Sequence, residues 1–235
     1  MASTRNIQAS IMFAAPILRF QPLAIAGLEP ATTAANIVLQ TVLGAPFTWP
    51  WNRSTFLGTL TVNNQDVSVD VEDFGFLEKA NVVDEASKPW ECEVKRVLAR
   101  DSSPSSRPKY VSNFIENGDG TFVFRVMPPP DEAYELYGIY QKAAPQITSP
   151  ASLWSPIPDR YGYIVDWLFL GLMAVLLNDA RWPQFNQKGI AHLLGAQQGL
   201  SETEKNIFVE GYAQMLMQLQ GVGIKTTQGN QARTV

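Results

Sequence analysis

Side chains suited to chemistry are few in this chain of 235 residues, which holds one histidine, His192, and one cysteine, Cys92. A nucleophilic triad needs a base beside a nucleophile, with an acid to orient it. His192 lies in GIAHLLG, where no local residue supplies either partner, so it is expected to be a packed side chain. Cys92 lies in PWECEVKR and alternates with Glu91 and Glu93. It is expected to point into a sheet core, where a thiol behaves as a small hydrophobe. Paired carboxylates occur at Glu72–Asp73, Asp84–Glu85 and Asp131–Glu132. A glycosidase holds two acids about 5–10 Å apart across a cleft, whereas these pairs fall in turns or beside strand ends, where Asp and Glu are ordinarily solvated. ENGDG, Glu116 to Gly120, resembles a fragment of a calcium loop but lacks the glutamate of its twelfth position. The chain has no Walker loop, no G-x-G-x-x-G and no HExxH. The expectation is no catalytic residue, no metal, no cofactor and no enzyme activity.

Bulk composition narrows the classes further. The net charge is −4, and Lys95, Arg96 and Arg100 are offset by Glu91, Glu93 and Asp101. That balance argues against a nucleic-acid binder, whose affinity rests on Lys and Arg neutralising phosphates. A lone cysteine excludes an intramolecular disulfide. The opening MASTRNIQAS lacks the layout of a signal peptide, so an intracellular folding compartment is expected. Tyr163 to Leu177 is strongly apolar but carries Asp166, and a membrane span needs about 20 apolar residues. A helix buried by protein is the better reading. Hydrophobic content of 46% with only 17% charged residues fits a globular chain that buries surface against partners.

The elements that must position these side chains follow from periodicity. Residues 1–30 are apolar but broken by Pro16, Pro22, Gly27 and Pro30, which predicts an extended arm or short helical pieces. Thr32 to Gly44 predicts a helix with Thr32 or Thr33 at its start and Gly44 at its exit, followed by the Trp49–Pro50–Trp51 connection. Residues 57–143 then alternate with period two: LGTLTV, VSVDV, NVVDE, PWECEVKRV, RPKYVSNFI, TFVFRVM and YELYGIYQK. These make about seven short strands of an antiparallel sandwich or barrel. ENGDG supplies a hairpin turn, and Pro128–Pro130 with Asp131 stop one strand before the next begins. Residues 144–157 form a Pro- and Ser-rich linker, and helices fill 158–221. The first starts at Pro158–Asp159, a second covers Phe185 to Leu194, and a third carries a Ser201/Glu204 capping box with Phe208, Tyr212, Met215, Leu216 and Leu219 on one face. Residues 222–235 read as a flexible tail. The fold class is α+β: a β domain inserted between an N-terminal helix and a C-terminal helical bundle, with an N-terminal arm and a C-terminal tail.

One ordered set of motifs carries a resemblance. Arg107, Pro108 and Tyr110 precede a strand entering Pro128, Pro130 and Asp131; Tyr134, Leu136, Tyr140 and Lys142 follow. Ile157, Pro158, Asp159 and Tyr161 then lead into an apolar helix ending near Asn178–Asp179. In this order the chain resembles the head-to-tail adaptor proteins of tailed bacteriophages, notably short-tailed ones. The resemblance implies a virion structural protein in the neck, a commonly dodecameric ring beneath the portal that holds tail or nozzle proteins and lets DNA pass without sequence-specific binding. It also implies that the C-terminal extension reaches the portal, which makes Val222, Ile224, Lys225, Arg233 and Val235 the candidate partner interface. The longer residues 1–30 and 186–235 leave another neck or tail-completion ring protein as an alternative. A ligand- or sugar-binding β-sandwich would need Trp49, Trp51, Trp90 or Trp154 gathered on one open face, and a hydrolase would need a cleft acid pair or a histidine site assembled in space.

Overall fold

The period-two stretch between Arg53 and Lys142 folds as seven strands: β1 Arg53–Leu60, β2 Asp66–Asp70, β3 Phe74–Val83, β4 Pro89–Val94, β5 Tyr110–Glu116, β6 Thr121–Met127 and β7 Tyr134–Lys142. This computed structural model describes residues 3–20, 29–100, 102–117, 120–197 and 199–221. The chain divides into two units, one of residues 39–146 and one of residues 1–38 with 147–235.

In the first unit the strands form a single sheet in the order β1-β7-β3-β4-β5-β6-β2. Every pairing is antiparallel except β4 with β5. The sheet curls into a nearly closed barrel, the β1 edge approaching β2, where inward-facing Gly58 leaves room for Val67 and Val69. Alternation places Phe56, Leu60, Val69, Val82, Phe122, Phe124, Val126, Leu136 and Tyr140 inside. Phe56 stacks on Phe124 at 4.3 Å between ring centroids, and Phe74 lies 4.7 Å from Phe122. Phe56 sits opposite Gly138 of β7, and its ring occupies the volume a side chain there would need. On the outer face Arg53 and Gln141 both donate to the Glu78 carboxylate, while the Gln141 side-chain oxygen accepts the Trp49 N–H at 3.1 Å. Trp49 is buried, and its Nε1 donates to the Val42 carbonyl at 2.7 Å.

Among the described residues the helices are α1 Ile7–Leu18, α2 Ala31–Leu43, α3 Gly162–Leu176, α4 Trp182–Gly195 and α5 Glu202–Gly221. The first residues of α2 belong to the helical unit and its last turn to the sheet unit. Its start is capped by Glu29, whose carboxylate accepts the Thr33 N–H at 3.2 Å and both threonine hydroxyls, rather than by a threonine as expected. In the helical unit α3 is central and nearly all its residues are buried. Gly189 of α4 packs so closely on α3 that a Cβ there would lie 2.9 Å from the Leu168 side chain and 3.1 Å from its backbone nitrogen. Gly189, a residue that lowers helix propensity, is therefore what lets α4 approach. Asn186 donates to the Gly171 and Trp182 carbonyls and accepts the Tyr212 hydroxyl at 2.9 Å, joining α3, α4 and α5. The Ser201/Glu204 capping box forms in both directions, at 2.9 and 3.3 Å.

Of the two forms expected for the N-terminal segment, Ile7–Leu18 takes the helical one, with Pro16 inside the helix. Pro16 is exposed and lies in the last turn, and Met12, whose carbonyl loses its usual donor, is exposed as well, so the helix tolerates the ring. Ile7, Ile11 and Ala14 meanwhile bury their side chains.

Candidate functional site

The chemistry-bearing residues are dispersed and already occupied. His192 is half-buried on α4, edge-on to Tyr163 at 5.2 Å and 6.4 Å from Trp167, an aromatic setting in which Lys188 covers the Trp167 ring. Cys92 is buried in the barrel, its Sγ 3.5 Å from the Pro108 carbonyl, and burial pushes its thiol up to about 11. A thiol so shifted is protonated at neutral pH and a poor nucleophile. Of the carboxylate pairs, Asp84 accepts the Lys88 N–H at 2.8 Å and Asp131 accepts the Tyr134 hydroxyl at 2.9 Å, both as turn contacts. Asp73 adopts positive φ beside Glu72, whose carbonyl accepts the Tyr140 hydroxyl. No group of three or more His, Cys, Asp or Glu gathers as a metal site among the described residues.

A buried carboxylate assembly lies elsewhere, and sequence reading did not find it. Asp166 of α3 is buried, with Arg5 at 2.9 Å and the Ser10 hydroxyl at 2.7 Å. Trp154 Nε1 donates to that same Ser10 oxygen at 2.9 Å. Asp159, expected to serve its own helix start, instead accepts from the Ser3 hydroxyl and from the Thr4 N–H at 3.0 Å. Those hydrogen bonds from Thr4 and Ser3 hold its carboxyl below the usual carboxylate range. Both acids thus fasten the start of the chain to α3 and its approach. The only signal was a carboxylate inside an apolar run; its partner Arg5 lies 161 positions away.

The concave surfaces lined by the described residues are shallow. A groove of about 560 Å³ beside β3, β4 and β5 is lined by Glu78, Lys79, Glu91, Glu93, Lys109 and Tyr110, a mixture of charges whose Glu78 already serves Arg53 and Gln141. Another, of about 310 Å³, is apolar and lined by Leu43, Ala45, Phe76 and Ala143 among others. Trp49 and Trp154 are buried in their own units, and Trp90 lies under Lys88 and Arg107 at 4.0 and 3.7 Å. The open aromatic face that a sugar-binding module requires is therefore not built from them. No helix among the described residues is long and apolar enough to cross a membrane. The tail residues Val222, Ile224, Lys225, Arg233 and Val235 lie outside the described residues.

What the surface does present is exposed apolar side chains: Val97 in the β4–β5 connection, and Ile207 and Met217 on α5. α5 is anchored on one stripe through Tyr212 and Leu216 while showing another to water, an exposed apolar face of the kind that macromolecular contacts use.

Comparison with known proteins agrees with that character. The model of the SU10 adaptor protein family matches residues 23–210. The chain belongs to this family, and it is a phage head-to-tail adaptor. No curated protein matches it.

Proposed function

We propose that the protein is a structural ring component of the virion neck that catalyses no reaction. Copies assemble into a dodecameric ring below the portal, attach tail or nozzle proteins and leave a lumen through which DNA passes without sequence-specific contact. Assembly takes place in the host cytoplasm. The observation that carries this reading is the family match across residues 23–210, spanning both the barrel and the helical unit. Three features support it. The candidate catalytic groups are spent on packing and turns. Exposed apolar residues sit on elements that a neighbour could cover. The net charge of −4 disfavours the counterion-release binding that would arrest sliding DNA.

Val222 to Val235 are assigned the portal contact. Deleting them is expected to leave the melting temperature within about 2 °C of the full chain, since the last residues of a domain usually carry little folding energy. Binding to the portal should fall at least about tenfold, a loss of roughly 1.4 kcal/mol. Pull-down and light scattering with purified portal measure it. Undiminished portal binding by the shortened chain would reject the assignment.

A further inference from the structure

The most exposed large apolar side chains of the described chain occur in two patches of opposite charge. Val97, at 75%, follows Lys95 and Arg96 in the connection after β4. Residues 95–100 contain three cations, with Asp101 next in sequence; Lys95 is paired with Glu93, while Arg96 and Arg100 are exposed and form no ion pair among the described residues. Met217 and Ile207, at 67% and 65%, lie on α5. With Glu210 and Gln214 between them they form one stripe at the three-to-four spacing of a helix face. Residues 202–221 contain three carboxylates and one cation, and Lys205 is spent on Glu202. Glu204 is spent on its cap, which leaves Glu210 free among the described residues.

An apolar centre bordered by charge is what an interface core and rim look like. Here the two halves of a complementary pair stand on the same chain, one cationic around Val97 and one anionic around Ile207. Such a pair can match twice about a two-fold axis or head to tail, and the ring reading above selects the second. Head-to-tail matching closes into a ring when the rotation between copies permits. We infer that the lateral contact between copies seats the Arg96–Val97–Arg100 segment of one copy on the Ile207–Glu210–Met217 stripe of the next. This inference rests on the ring reading above. Opposed charge fixes the register and direction of the contact, while Val97, Ile207 and Met217 supply the apolar area.

The test uses the full chain. Wild-type mass is first measured by native mass spectrometry across a range of concentrations. A Val97→Cys chain is then mixed with a tagged Ile207→Cys chain and cross-linked with a short bis-maleimide; native Cys92 is buried and shielded. The expected result is a cross-linked pair of the two different chains, formed only where assembly occurs, and absent between two Val97→Cys chains. Glu210→Arg is expected to weaken self-association at least about tenfold through like-charge juxtaposition. Adding Arg96→Glu to the same chain should restore it. Circular dichroism confirms that each exposed-site variant folds. An assembled wild type that gives no mixed cross-link, or whose assembly ignores both charge reversals, overturns the inference and leaves the ring intact. A wild type that stays monomeric at every concentration, alone and with portal, overturns both.

Discussion

Asp166 shows how much a single residue's role depends on partners distant in the chain. Its buried carboxylate is satisfied by Arg5 and Ser10, so Asp166→Leu removes one partner of a partly solvated ion pair and leaves Ser10 and Trp154 a shorter chain of hydrogen bonds. The expected loss is about 1.5–3 kcal/mol, the range for hydrogen bonds to charged groups, read by urea denaturation; a neutral variant would refute the arrangement. At Gly138 a methyl group would collide with the Phe56 ring, so Gly138→Ala should cost about 1–3 kcal/mol by overpacking. Acid sensitivity is also set residue by residue. Burial pulls the Glu78 carboxyl up, but the hydrogen bonds from Arg53 and Gln141 outweigh it and hold the group below its ordinary value. The stability from a depressed carboxylate is complete above its unfolded pKa, about 4.3, and is lost as pH falls through the folded value. Glu78→Gln should therefore lower the melting temperature at pH 7 and flatten its decline below about pH 4.3. A decline as steep as wild type would contradict that. At this scale the sequence was informative about Cys92, whose neighbours alternate in polarity, and uninformative about Asp166, whose partners are fixed only by the tertiary fold.

Elements were legible where local pattern and tertiary demand agree. The seven strands, the β5–β6 hairpin, where the Gly120 N–H donates to the Asn117 carbonyl, and the Ser201/Glu204 cap all follow from period, turn chemistry and capping. Two elements were only partly legible, for physical reasons. The first half of β3, Phe74 to Ala80, hides its alternation because register shifts fall between Phe74 and Phe76 and between Leu77 and Lys79. α1 was obscured by Pro16, which matters little near a helix end on an exposed face. The attachment of α5 rests on Tyr212, Leu216 and the Asn186 bracket. Tyr212→Phe removes the hydroxyl that Asn186 accepts and should cost about 1 kcal/mol. Hydrogen exchange should rise along Glu202–Gly221 with the strands unaffected. Uniform exchange changes across all elements would show that this bracket is not what seats the helix.

For the whole molecule, the fold class followed from the order of periodicities, helix then strands then helices, and the family from the ordered motifs between Arg107 and Asp179. The contact surfaces did not, because exposure on α5 depends on which of its two apolar stripes α3 and α4 cover, and that is decided by packing. The barrel and the helical unit together carry the adaptor reading, which requires self-assembly and a place in the neck. Native mass spectrometry of the purified full-length chain, alone and with the portal, tests this most directly. A discrete closed oligomer of about twelve copies is the predicted result for a head-to-tail ring. A chain that stays monomeric in both conditions would contradict the account.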